Sequence, residues 1–202
     1  LKGTPDQPIV IRGLGDRTLL CGDTSVQVLH DVLPRYEDPT FFRLRNCEWV
    51  VIEDMHGENS WPTFVFIQDS RYVTLRSLVI KNSRYMTYAR GMDTHHILIE
   101  HCYWRQDPTM SIWTSLDWYD SKEELYSYYD GGIYGSSGVT GSIVIRRSKI
   151  IDAFNAMRLK AEGDAYKCQN LNVEVYENRF RRIRDNVTEP EKHALNWQVR
   201  DN

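Results

Sequence analysis

The stretch NVEVYENRF, residues 172–180, alternates apolar Val173 and Val175 with polar neighbours, reaches Asn178, and resumes with Phe180. Its first half recurs in WVVIED (49–54), YVTLRS (72–77), HILIEH (96–101), SIVIRR (142–147) and NWQVRD (196–201). Aligned on Ile52, Leu75, Ile99, Ile145, Val175 and Val199, the segments stand 23, 24, 46, 30 and 24 residues apart, and the 46 reads as one period plus an insertion. Two residues earlier stand Val50, Val73, Ile97, Ile143, Val173 and Trp197; one residue later stand Glu53, Arg76, Glu100, Arg146, Tyr176 and Arg200, which face the other way, with Glu53, Arg76 and Glu100 reading as a solvated charge ladder. A period of two inside each segment predicts a strand with one buried face. A long fixed period predicts units that stack on their neighbours, because one unit cannot bury its face alone.

The expected fold class is therefore all-β: a solenoid of about 23–24-residue coils, a single domain over 1–202 with one aromatic-rich loop insertion at 103–131. Helical repeats need helix-length periodic runs, and leucine-rich repeats need a leucine ladder; neither is present. At offset +3 the segments carry Met55, Leu78, Cys102, Ser148, Asn178 and Asn202, and at +5 Gly57, Ile80, Trp104, Ile150 and Phe180. Gly57 is the exception in an otherwise apolar column.

The pattern V-x-[IV]-x-x-N-x-F of Val173, Val175, Asn178 and Phe180 resembles the right-handed parallel β-helix of pectate-lyase-like proteins, and the likeness runs from about Pro8 to Asn202. The phrase Thr4-Pro5-Asp6-Gln7-Pro8-Ile9-Val10-Ile11 is similar to the early coil of secreted members. The resemblance implies an inward Asn stacked coil on coil, bonding backbone groups where the chain bends. It also implies a secreted or cell-surface protein that acts on, or holds, a polysaccharide. With no polar caps at Leu1 or Asn202, the chain reads as a piece of a longer protein, or as a subunit that self-associates end to end or laterally.

A net charge of −3 gives no global basic field for nucleic acid. No apolar run approaches the ~18 residues of a membrane span. Cys21, Cys47, Cys102 and Cys168 form no C-x-x-C pair, which argues against structural zinc. Cys102 falls on an inward column and reads as a buried filler. Asn186-Val187-Thr188 is a glycosylation sequon, informative only in a secretory eukaryote.

Two places could carry function. The insertion is rich in aromatic residues, among them Trp113, Trp118, Tyr128 and Tyr129, whose rings suit stacking on sugars or packing as a small core of their own. Trp104 stands in an inward column. The second place is the strand that precedes each aligned segment. In Met157-Arg158-Leu159-Lys160 the alternation sends Arg158 and Lys160 to one outer face. Glu189 and Glu191 follow in the next coil, Arg90 lies two strands the other way, and Asp130 ends the insertion. The plain alternative is ion pairing of Lys160 with Glu189 or Glu191, worth ~0–1 kcal/mol if exposed.

The most concrete function for these residues is a lyase that cleaves an acidic, uronate-containing polysaccharide by β-elimination. Lys160 would be the base, Arg158 the enolate-stabilising cation, and Tyr134, His95 or His193 the acid. A glycoside hydrolase would instead pair Glu189 with Glu191 or Asp130. A non-catalytic glycan-binding or fibre protein is the rival from another class. No cofactor is required, although calcium assembled across coils would suit the carboxylates. The Lys, Arg and Asn-Gly phrases of particular lyase families and the paired aspartates of polygalacturonase-like hydrolases are absent.

Overall fold

The structure is a computed structural model, described here for residues 1–22, 40–60, 62–106 and 131–202. These residues form sixteen strands and one 3-10 turn, Tyr166–Cys168, and no α-helix. The chain runs β1 (Ile9–Cys21), β2 (Thr40–Arg45), β3 (Glu48–Glu58), β4 (Thr63–Gln68), β5 (Arg71–Lys81) and β6 (Tyr85–Arg90). It continues as β7 (His95–Glu100), β8 (Tyr103–Arg105), β9 (Tyr134–Ser137), β10 (Gly141–Arg146) and β11 (Lys149–Ala153). The last strands are β12 (Met157–Lys160), β13 (Leu171–Tyr176), β14 (Arg179–Ile183), β15 (Glu189–Glu191) and β16 (Leu195–Arg200).

Two sheets result, and every strand pairing among the described residues is parallel. One sheet orders β15-β12-β9-β6-β4-β2. The other holds β1, β3, β5, β7, β10, β13 and β16 side by side, and β8, β11 and β14 extend it from the second half of β5. The long β5 explains that branching, because Arg71–Arg76 pairs with β7 while Val79–Lys81 pairs with β8. The aligned columns meet in register: Ile52 lies opposite Leu75, Leu75 opposite Ile99, Ile99 opposite Ile145, and Ile145 opposite Val175.

Each unit bends at the same position. Asp54, Ser77, His101, Arg147, Glu177 and Asp201 all have φ between 51° and 56°, the left-handed region. Inside that bend runs a polar ladder. Asn202 Oδ1 accepts from the Asn178 backbone N–H and from its Nδ2, both at 3.0 Å. Asn178 Oδ1 accepts the Ser148 N–H at 3.0 Å, and Ser148 Oγ accepts the Cys102 N–H at 3.1 Å. Asn178 Nδ2 also donates to the Ile145 carbonyl at 2.9 Å. The expected inward Asn stack is thus present, with Ser148 continuing it.

The core lies on the inward columns, and Val50, Ile52, Val73, Leu75, Ile99, Ile143, Ile145 and Val175 are fully buried. Trp104 and Cys102 are in it as expected; burial pushes the Cys102 thiol up to about 12. Three expectations need correction. Glu53, expected outward and solvated, is 1% exposed because Arg12 and Arg76 close over it from either side. Burial alone would raise its carboxyl, yet hydrogen bonds from Arg76 and Arg12 hold it below the usual range. Val199, expected buried, is 51% exposed because β16 pairs only with β13 among the described residues. The excursion does not begin at 103: Tyr103–Arg105 is strand, paired with both β5 and β11. At its other end, the Met86 N–H bonds the Gly132 carbonyl and the Ile133 N–H bonds the Ala156 carbonyl, both at 3.0 Å, so 132–133 also joins the hydrogen bonding between β6 and β12.

Candidate functional site

Parallel register on the outer face of the six-stranded sheet makes two columns. Arg90 lies opposite Ser137, Ser137 opposite Lys160, and Lys160 opposite Glu191. Beside them run Tyr88, Gly135, Arg158 and Glu189. Small residues on β9 leave a gap between the larger ones on β6 and β12. A cleft of about 180 Å³ occupies it, lined by Tyr85, Tyr88, Arg90, Ser136, Ser137, Arg158, Lys160 and Glu162. Gly135 is required there, because a Cβ at that position would come within 2.6 Å of the Tyr85 ring. The predicted Arg90, Arg158 and Lys160 are therefore brought together.

The electrostatics differ from expectation. Arg158, not Lys160, takes the two carboxylates: its Nε lies 3.6 Å from Glu189 Oε2 and bonds Glu191 Oε1 closely. The broad guanidinium reaches both partners of the neighbouring strand, whereas the Lys160 ammonium lies 3.9 Å from Glu162 Oε1. Glu189 also accepts from buried Asn155 Nδ2 at 2.8 Å. Glu189 and Glu191 thus both serve a cation, an arrangement unlike the hydrolytic carboxyl pair. Arg90 is exposed and makes no ion pair among the described residues.

Tyr134 is corrected outright. It points into the core between Thr87 and Met157, is fully buried, and burial raises its phenol well above the ordinary range. It cannot reach a ligand on the outer face. His193 lies outside the cleft lining and packs edge-on against Tyr166, ring centroids 6.0 Å apart. His95 belongs to β7, on the other sheet. Tyr88, which the sequence reading overlooked, lines the cleft and packs with Tyr85 at 5.3 Å. Its signal was available: Tyr88 and Arg90 alternate just as Arg158 and Lys160 do. Trp113, Trp118, Tyr128, Tyr129 and Asp130 lie outside the described residues.

A larger trough, about 580 Å³, lies on the outer face of the other sheet and was also missed. One wall is the column three residues before the aligned position: Trp49, Tyr72, His96, Ser142 and Asn172. The floor includes half-buried Val51, Thr74, Leu98 and Val144. Arg146 and Tyr176 stand on the far side. The signal here was an aromatic run at one offset in three consecutive repeats.

Among the described residues no group of three or more His, Cys, Asp or Glu side chains is arranged to hold a metal ion. No helix among them is long and apolar enough to cross a membrane. Comparison of the chain with protein-family models, curated proteins and solved structures found no match.

Proposed function

We propose that the two parallel sheets are faces of a right-handed parallel β-helix, secreted or displayed at the cell surface, that cleaves an acidic polysaccharide by β-elimination. The observation that carries this reading is the convergence of Arg90, Arg158 and Lys160 in one cleft on the six-stranded sheet. An anionic polymer laid across the strands meets a cation from β6 and two from β12. Arg158 is held in place by Glu189 and Glu191, which fixes its guanidinium at the cost of part of its field.

In this reaction Lys160 takes the proton α to a uronate carboxylate. The electrons of that C–H bond form the C4–C5 double bond, and the C4–O glycosidic bond breaks. The carboxylate carries the developing charge, which Arg90 and Arg158 stabilise. Tyr88, which lines the cleft, takes the role expected of Tyr134, protonating the leaving oxygen.

The test is digestion of a panel of uronate polymers, followed by the absorbance of unsaturated uronate. The expected result is release from at least one polymer, abolished in Lys160→Ala with binding retained, because the base acts in the transition state. Neutralisation of Arg158 by two carboxylates favours a second reading, a glycan-binding protein without turnover. Polymer binding with no unsaturated product from any member of the panel would select it.

A further inference from the structure

The wall of the larger trough changes character halfway. In-register pairing of the flanking residues aligns Trp49, Tyr72, His96, Ser142, Asn172 and Asn196 across six strands. All six are left-handed, with φ from 53° to 57°, so one backbone conformation presents every member. The first three are rings. Trp49 and Tyr72 stack with centroids 4.0 Å apart and planes 1° off parallel, and Tyr72 meets His96 at 4.7 Å and 38°. The last two are amides, joined by Asn196 Nδ2 donating to Asn172 Oδ1 at 2.7 Å. Ser142 stands between, and its side chain ends at the hydroxyl.

We infer that this step is a binding site for an uncharged sugar ring of a glycan lying along the trough. Adjacent strands are ~4.8 Å apart, so a ring continuing the stack beyond His96 lies over Ser142. His96 is exposed and lines the trough at that end of the stack. Sugar rings pair apolar faces with hydroxyl edges, and the site matches both needs. The face meets His96 and the floor of Leu98 and Val144; the hydroxyls meet Ser142, Asn172 and Glu174.

Charge decides between an acidic and a neutral sugar. Arg146, the lining cation, is neutralised by Glu100, with Nη2 2.7 Å from Oε2, and also donates to the Tyr176 hydroxyl at 2.9 Å. Glu174 remains as a carboxylate facing the trough, and it repels a uronate. The cation-lined cleft on the opposite sheet has the reverse preference. The inference does not depend on the lyase reading, since it concerns a separate face and a separate ligand.

The test is titration calorimetry with neutral xylo-, cello- and manno-hexasaccharides, with a uronate hexamer as control. At least one neutral hexamer binds, and His96→Ala and Ser142→Trp each weaken it tenfold or more, the second by filling the step. Binding of the uronate hexamer, where present, is unchanged by either. Circular dichroism and melting verify that each variant is folded; if Ser142→Trp is not, Ser142→Gln takes its place. Absence of binding by all three neutral hexamers at millimolar concentration overturns the inference. So does neutral binding that a folded Ser142 variant leaves intact.

Discussion

The ring of Phe64 fills the space in front of Gly57: a Cβ at residue 57 would lie 2.3 Å from Phe64 Cε2 and 2.7 Å from Cδ2. Gly57 sits in register with Ile80, in the column that elsewhere holds Trp104, Ile150 and Phe180. The core position is therefore filled from the facing sheet. Phe64 is fully buried and has no room to retreat. Gly57→Ala is expected to lower stability by ~1–3 kcal/mol, the usual cost of overpacking. Adding Phe64→Leu should recover part of that loss, and urea unfolding of the two variants measures both.

The Asn178 ladder gives a second expectation. Asn178→Ala leaves the Ser148 N–H without its side-chain acceptor inside the bend, and removes a donor from Asn202 Oδ1 and from the Ile145 carbonyl. The expected cost is ~1–3 kcal/mol. Arg146→Ser, whose partner Glu100 is partly solvated, should cost well under that. Equal costs for the two variants in urea unfolding would mean that the ladder contributes nothing beyond surface pairing.

Why the parallel sheets were legible and most of the two grooves was not follows from what each depends on. Ile52, Leu75, Ile99, Ile145 and Val175 are fixed by burial, which imprints an apolar residue at every repeat. Arg158 and Lys160 share that alternation, so their common face could be read as well. Tyr134 could not. It stands in β9 among the small or polar residues Gly135, Ser136 and Ser137, opposite polar Thr87 of β6, so no apolar alternation marks which face is buried. Glu53 was misread for the opposite reason: its burial depends on Arg12, on a strand that lies outside the aligned repeats. Trp49, Tyr72 and His96 head three consecutive aligned segments, but the sequence does not reveal that a shared left-handed backbone stands them up as one wall of a trough.

Acidification tests the His95–His96 contact, whose Nδ1 atoms are 2.6 Å apart. Burial, then the neighbouring His96 and Arg71, hold His95 below its ordinary value of 6.5, against a smaller opposing effect of Asp93. A base depressed in the folded state binds fewer protons than it does unfolded, so stability falls as pH drops below about 6.5 towards that lower folded value. Melting temperature should decline between pH 7.5 and 5, and His95→Gln should flatten the slope. Loss below that range has another origin: Glu53 and Asp152 are held below the usual carboxylate range despite burial, by Arg76 and Arg12 and by Arg182 and Arg105. An unchanged slope in His95→Gln would assign the acid sensitivity elsewhere.

The carboxylates around Arg158 separate the two enzymatic readings of the cleft. If Glu191 serves Arg158, then Glu191→Gln removes one negative charge beside three cations and leaves Glu189, 3.6 Å away, to hold the guanidinium. An anionic polymer should then bind more tightly, and KM should fall severalfold at low salt with kcat reduced no more than a few-fold. The gain should shrink at ~1 M ionic strength, where the screening length is ~3 Å. Glu189→Gln should behave similarly, with an added loss of stability because buried Asn155 loses its charged acceptor. If the two glutamates were instead the acid and nucleophile of a hydrolase, either substitution would abolish turnover and leave KM nearly unchanged. Loss of turnover in both variants, with products lacking the unsaturated chromophore, would replace elimination by hydrolysis.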